Sequence, residues 1–362
     1  MDEKDLNVEQ LNKKQTFTAK CESCGANMVF NPETQELYCS YCGSSKDFAK
    51  SSEVSEVEIT KALSYSVEWT DDNSAYRCEN CGAVVVLPSN QTATLCPYCG
   101  TSHVVKSNDG YGIKPNAVYP FTIGRSDAVN FAKTWAKKRL FAPKKFKQNL
   151  NAESFNGVYE PAFTFDSKTY STYEGVVGDR RTRTVGSGKN RRVQTYTVWR
   201  RISGTFSYNF DDVTITATDN NSQQNLNKIL PYDYKTIKVY DKSYLAGFMA
   251  HKAEKTVSDS WNNAKVVMDE KLKRAILSQY NYDVLRYINV STIHNNVTYK
   301  YVLLPIYLMS FPFKNKPYNV YVNGNTGKVT GKTPISPLRV GLAVLIGAVV
   351  VFGLVALFNL LT

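Results

Sequence analysis

Four Cys-x-x-Cys pairs, arranged as two copies of one unit, constrain this chain more than any other feature. Cys21-Glu22-Ser23-Cys24-Gly25 is followed by Cys39-Ser40-Tyr41-Cys42-Gly43, and Cys78-Glu79-Asn80-Cys81-Gly82 by Cys96-Pro97-Tyr98-Cys99-Gly100. Fourteen residues separate the inner cysteines of each copy, the copies are offset by 57 residues, and together they use all eight cysteines. Repetition at a fixed period marks a repeated structural unit.

Two cysteines separated by two residues turn both sulfurs toward one ion, and two such turns supply a tetrahedral tetrathiolate, the donor set of a closed zinc site. The glycine after each second cysteine suits a turn of positive φ, which a Cβ disfavours. Between the pairs, Met28-Val29-Phe30 and Leu37-Tyr38 flank Asn31-Pro32-Glu33-Thr34, and Val84-Val85-Val86 and Thr94-Leu95 flank Pro88-Ser89-Asn90. Each unit therefore reads as a zinc ribbon, two metal-binding turns joined by a β-hairpin. The expectation is two Zn²⁺ per chain, on Cys21, Cys24, Cys39 and Cys42 and on Cys78, Cys81, Cys96 and Cys99. Disulfides need an oxidising compartment, and no secretory signal precedes the cysteines. A redox pair occurs once on a helix rather than four times around hairpins. Iron takes the same ligands and stays open as an alternative.

The net charge of +12 is unevenly spread: residues 1–110 carry −7 and residues 111–362 carry +19. The cationic character belongs to the part after the ribbons, which argues against the ribbons themselves gripping phosphate. The chain divides into a polar N-terminus (1–17), a first ribbon (18–47), an acidic linker (48–74), a second ribbon (75–103), a basic body (112–333) and an apolar segment (340–361). His103, four residues past Cys99, reads as a surface residue.

In the body, Ser126 and Asp127 read as the cap of a helix reaching Leu140, with Ala128, Phe131, Ala132 and Trp135 facing the core. A basic run, Lys133, Lys137, Lys138, Arg139, Lys144, Lys145 and Lys147, reads as a solvated helix end whose cations complement the helix dipole. From Val158 the Thr- and Tyr-rich sequence predicts antiparallel sheet. Thr256–Tyr280 predicts a long helix with Val257, Trp261, Ala264, Val267, Met268, Leu272, Ala275 and Ile276 on its buried stripe. Strands resume at Val284, and a last hairpin turns at Asn323–Gly327. The fold class is α+β: two β-hairpin zinc ribbons, a mainly antiparallel β-rich body with two or more helices, and one C-terminal transmembrane helix.

Eight basic residues, Arg180, Arg181, Arg183, Lys189, Arg191, Arg192, Arg200 and Arg201, fall between two strands with no acid among them. They form a candidate anion-binding segment. With a bilayer close by, anionic lipid headgroups are the favoured ligand, and nucleic acid, with Tyr196 and Trp199 as stacking platforms, is the second. A plain solvated hairpin is the third.

Val340–Leu361 carries no charge, and Asn359 is its one polar side chain. Twenty-two residues at about 1.5 Å span roughly 33 Å, enough for a hydrocarbon core of about 30 Å. Lys328, Lys332 and Arg339 flank its N-terminal side. The positive-inside bias then predicts a single-pass cell-membrane protein with a cytoplasmic N-terminus.

Enzyme signatures fail. Gly186-Ser187-Gly188-Lys189-Asn190 has Arg183 where a P-loop needs glycine and Asn190 where it needs Ser or Thr, and Gly331-Lys332-Thr333 has Thr326 in the glycine position. His251-Lys252-Ala253-Glu254 is not a His-Glu-x-x-His zinc helix and reads as an exposed helical turn.

Cys96-Pro97-Tyr98-Cys99-Gly100, Val158-Tyr159-Glu160-Pro161-Ala162-Phe163-Thr164-Phe165-Asp166, and Leu304-Pro305-Ile306-Tyr307-Leu308 running into Val322-Asn323-Gly324-Asn325-Thr326-Gly327-Lys328-Val329 carry a resemblance. With them the chain resembles, over most of residues 75–335, a bacterial family of transcription-factor-IIB-type zinc-ribbon membrane proteins. Members are often labelled primosomal protein N′-like helicases. The resemblance implies the metal ligands; without a P-loop the helicase activity does not carry over, and helicase association stays an alternative. The leading expectation is a tail-anchored, cytosol-facing adaptor without catalysis, whose ribbons meet a protein partner and whose basic body lies near the bilayer. The other alternative is a membrane-tethered nucleic-acid-binding protein.

Overall fold

The structure is a computed structural model that describes residues 20–61, 73–79, 84–88, 96, 104–107, 114–151, 154–218, 223–313 and 316–361. It is α+β and mostly antiparallel. The first ribbon is a three-stranded antiparallel sheet of β1 (Met28–Asn31), β2 (Glu36–Cys39) and β3 (Ser45–Lys46). After it come β4 (Val57–Glu58), β5 (Asn73–Cys78), β6 (Val84–Pro88), β7 (Val104–Ser107) and β8 (Ala117–Val118). Helices α1 (Arg125–Lys137) and α2 (Lys144–Gln148) lead into β9 (Asn156–Val185) and β10 (Arg192–Thr216). Then follow α3 (Gln223–Ile229), β11 (Lys238–Val239), β12 (Met249–His251), α4 (Val257–Leu277), β13 (Val284–Phe313), β14 (Lys316–Asn323), β15 (Val329–Gly331) and α5 (Pro337–Leu361).

Three long antiparallel strands make the frame. β9 and β13 have 30 residues each and β10 has 25, with β9 in the centre. Strands usually run about 5–6 residues, and the pairing of these longer ones is interrupted by bulges. Register shifts fall at Phe210/Val213, Leu285/Tyr287 and Asn295/Thr298, and both Asp212 and Asn296 take φ of 50°. Such bulges bend the strand, increase its local twist and re-aim side chains.

Helix α4 covers one face of this frame. Val257, Ala264, Met268 and Leu272 pack with Phe163, Phe165, Phe210, Val213, Ile215, Tyr299 and Tyr301. The Thr256 hydroxyl caps its first turn, accepting from the Asp259 N–H at 3.1 Å. Val267, expected on the buried stripe, is 38 % exposed, because the stripe runs through Ser260, Ala264, Met268, Leu272 and Ile276. Helix α1 also turns a slightly different face inward: Ala128, Val129, Ala132 and Ala136 are buried. Phe131 lies half-open, against Gly327. The cap position of α1 is Gly124, without a side-chain bond, rather than Ser126.

The last turn forms as expected between β14 and β15. The buried Asn323 side chain accepts from the N–H groups of Asn325 and Thr326, both at 2.9 Å, and Gly327 takes φ of 73°. The segment read as an acidic linker is partly woven into the body: β4 pairs with β13, and Val57 and Ile59 pack beside the α4 core. The His251 reading is corrected. His251 ends strand β12, pairs with Val85 of β6 and is wholly buried, because β12 lies between β6 and β9 and Glu160 and Glu254 flank the ring.

Candidate metal centre and cationic arm

The first ribbon brings Cys21, Cys24, Cys39 and Cys42 together, one sulfur each, within 4.8 Å of one another. Two of the edges are short, Cys21 to Cys42 at 3.4 Å and Cys24 to Cys39 at 3.6 Å. A tetrahedron with metal–sulfur bonds of about 2.3 Å has edges of about 3.8 Å, so this donor set fits one metal ion. The two turns are copies of each other. Gly25 N–H donates to Cys21 O at 2.8 Å and Gly43 N–H to Cys39 O at 2.9 Å, with φ of 72° and 78°. Cys21 and Cys39 are buried, Cys24 and Cys42 exposed.

Ser44 touches the thiolate cluster, a contact the spacing did not reveal. Its hydroxyl lies 2.6 Å from Cys42 Sγ and 3.2 Å from Cys21 Sγ. That hydrogen bond is the main cause holding the Cys21 thiol down at about 6. A signal existed: Thr101 follows Cys99-Gly100 as Ser44 follows Cys42-Gly43.

The ribbon is docked on the body rather than appended to it. Phe30 N–H donates to Ala246 O at 2.9 Å, and the Phe30 ring meets Tyr244, Phe48 and Phe248 at centroid distances of 5.3, 6.2 and 6.5 Å. Gln35 Nε2 donates to Phe121 O at 2.7 Å. Gly247, at φ of 84°, lets Val29 approach its backbone.

Of the second tetrad, Cys78 and Cys96 are buried in one cluster with Val158, Leu226, Ile229, Ile306, Leu308 and Tyr321. Cys81, Cys99, Gly82, Gly100, Thr101 and His103 lie outside the described residues. Strand β5 pairs with both β6 and β7, and β6 pairs with β12. The second ribbon's strands thus join the main sheet.

The eight cationic residues occupy the end of the β9–β10 hairpin. The pairing of β13 with β9 begins at Val284 opposite Gly178, so beyond that point the hairpin continues as a two-stranded arm to its turn at Gly188–Asn190. The register separates the arginines. Arg181, Arg183, Arg192 and Arg200 share one face with Tyr196, whereas Arg180 and Arg201 share the other with Trp199. Gly178 is required here, since a Cβ would lie 2.8 Å from the Trp199 ring.

Acids beside the segment neutralise part of it. Arg200 Nε is 3.6 Å from Asp179, and Arg200 also donates to Asn281 O. Asp283 accepts from the Arg180 N–H at 2.7 Å. Arg183 donates to Gln194 at 3.1 Å and lies over Tyr196. Among the described residues Arg181, Arg183, Arg191, Arg192 and Arg201 form no ion pair. Lys189 lies in the turn itself.

The other basic run sits at the opposite end of the frame. Lys137, Lys138, Arg139, Lys144 and Lys145 are exposed around the loop joining α1 to α2. The start of α5 is tied to this loop: Ser336 N–H donates to Phe141 O at 2.8 Å and Arg339 Nη1 to Leu140 O at 3.1 Å. Leu140 is 72 % exposed and Phe141 42 %. Helix α5 is long and apolar enough to cross a membrane, and none of that span is buried.

Two buried charge centres complete the picture. His251 Nδ1 lies 3.2 Å from Glu160 and its Nε2 3.3 Å from Glu254. Lys300 Nζ lies 2.8 Å from Asp212, 3.1 Å from Glu56 and 3.4 Å from Asp166.

No family model matches the chain. No solved structure matches it. The sequence is 30 % identical over 323 residues to the uncharacterized protein YdjG of Bacillus subtilis (strain 168), an alignment that spans 88 % of this chain and 90 % of that protein. With both proteins covered nearly from end to end, the chain belongs to the family of Bacillus subtilis YdjG.

Proposed function

We propose that the protein is a tail-anchored adaptor without catalytic activity, held in the membrane by α5 and folded by two zinc ions, one per ribbon. The second ion takes Cys78, Cys81, Cys96 and Cys99. Tetrathiolate donors in a closed hairpin site favour zinc over harder metals. The positive charge around the start of α5 favours a cytoplasmic body.

The observation that carries this reading is the placement of α5 and the arm at opposite ends of one frame. Between Leu308, near the α5 end, and Val284, where the arm begins, lie about 80 Å of strand at about 3.3 Å per residue. A frame of that length standing upright on the bilayer holds the arm away from it, however short the tether. The residues tied to α5 are those of the α1–α2 loop, whose exposed cations and exposed Leu140 and Phe141 suit an anionic lipid surface. Each such cation contributes about 1 kcal/mol there. The arm instead offers its free arginines to an anionic partner that stands off the membrane. Nucleic acid is the second reading, favoured by the exposed Tyr196 and Trp199 beside guanidinium groups.

Removing residues 337–362 is expected to move the protein from the membrane fraction into solution with both zinc ions retained. A truncated chain that stays with the membrane would remove the anchor from this reading. Full chain in nanodiscs of neutral lipid, offered single-stranded or duplex nucleic acid, separates the two readings of the arm. Binding that disappears when Arg180, Arg181, Arg183, Arg191 and Arg192 become Gln selects nucleic acid, and no binding leaves an acidic protein partner.

A further inference from the structure

The Lys300 centre holds more acid than its ammonium neutralises. Asp166 lies on the central strand β9. The bulge between Phe210 and Val213, with Asp212 at φ of 50°, sets Asp211 and Asp212 against it, and Asp212 N–H donates to Asp166 Oδ1 at 2.5 Å. One oxygen from each of Asp166, Asp211 and Asp212 lies within 4.8 Å of the others. Glu56, held by the Thr298 hydroxyl at 2.6 Å, closes the group from β4's side. Three carboxylates meet the one ammonium and the exposed Asp211 lies beside them, a net charge of −3 with all four ionised.

A second observation points to a ligand rather than to a sealed ion-pair knot. Two buried hydroxyls, each 1 % exposed at the residue level, have no hydrogen-bond partner beside this group. Thr164 stands directly across the ladder from Lys300 and two positions before Asp166, so its side chain shares their face. Tyr119 feels the charge of Asp212, Asp211 and Asp166, which after burial raises its pKa. A buried hydroxyl without a partner has given up its water and gained nothing in return. A coordinated ion with its water shell satisfies them.

We propose that Asp166, Asp211 and Asp212 bind one divalent cation of the hard, oxygen-preferring class, with Lys300 as a fixed counter-charge. All-oxygen donors select calcium, magnesium or manganese over the zinc of the thiolate ribbons. The ion reduces the charge of the group from −3 to −1. It also fastens the β10 bulge to the central strand, on the stretch of the frame that leads out to the arm.

The test uses the full chain in detergent, its thiolate metal retained, in resin-treated buffer, with Mn²⁺ followed by its spin resonance and Ca²⁺ as competitor. The expected result is one Mn²⁺ bound per chain and displaced by Ca²⁺. Asp211 is exposed, so Asp211→Asn should fold normally, with an unchanged melt in metal-free buffer, and weaken Mn²⁺ binding by at least about tenfold. Asp166→Asn should do the same if it folds. Absence of a stoichiometric Mn²⁺ site, or Mn²⁺ binding unaltered in Asp211→Asn, overturns the proposal.

Discussion

Cys39→Ser should release one equivalent of metal and unfold the first ribbon, and the damage should reach the body. Cys39 is fully buried on β2, so its loss leaves three thiolates around the ion. Strands of four, four and two residues cannot hold a sheet on their own burial. Structural zinc supplies about 10–16 kcal/mol to sites of this kind, and folding and binding are one equilibrium. Phe30 then leaves its contacts with Tyr244, Phe48 and Phe248, a loss on the scale of a core Phe truncation, about 3–5 kcal/mol. Elemental analysis should record one zinc fewer per chain. Limited proteolysis should cut between residues 20 and 50, and the melt of the remaining body should move down. Unchanged zinc content would defeat the metal assignment, whereas lost zinc with an unmoved body melt would show that the docking contacts contribute little.

The first ribbon, helices α1 and α4 and the apolar helix were legible because each depends on local spacing. A Cys-x-x-Cys-Gly turn is decided by five residues, and the buried stripe of α4 by a period of about 3.6. The charge centres were not legible, because their partners meet only through the sheet. Glu160 and Asp166 stand in a mostly apolar run on what proved to be the central strand, where a buried carboxylate needs a cation. That cation is 91 residues away for Glu160, at His251, and 134 away for Asp166, at Lys300. Neither distance leaves a local pattern. His251 misled for the same reason: followed by Lys252 and Glu254 it reads as polar surface, yet β6 and β9 enclose it from both sides. The arm was found from its charge alone, but its distance from α5 depended on the pairing of three strands that exceed ordinary length.

Stability should fall as the pH rises from about 6.5 to 9, and His251 should be the cause. Its ring is wholly buried between Glu160 and Glu254. Burial alone would lower its pKa; the two carboxylates more than reverse this and hold it at about 9. The folded value therefore lies above the unfolded one near 6.5. The stabilisation is complete below about 6.5 and is lost as the pH climbs through 9. The rise corresponds to about 3 kcal/mol. Glu160 is itself 2 % exposed, so His251→Gln leaves a buried carboxylate without its cation, which costs about 3–5 kcal/mol. His251→Gln combined with Glu160→Gln removes both charges and should cost clearly less than the two single changes added together. Denaturant titrations of the full chain in detergent at pH 6, 7.5 and 9 measure these quantities. A flat profile across that window, or the same slope in His251→Gln, would show that the imidazole is not charged in the folded protein, and strict additivity of the two substitutions would show that Glu160 is not its partner.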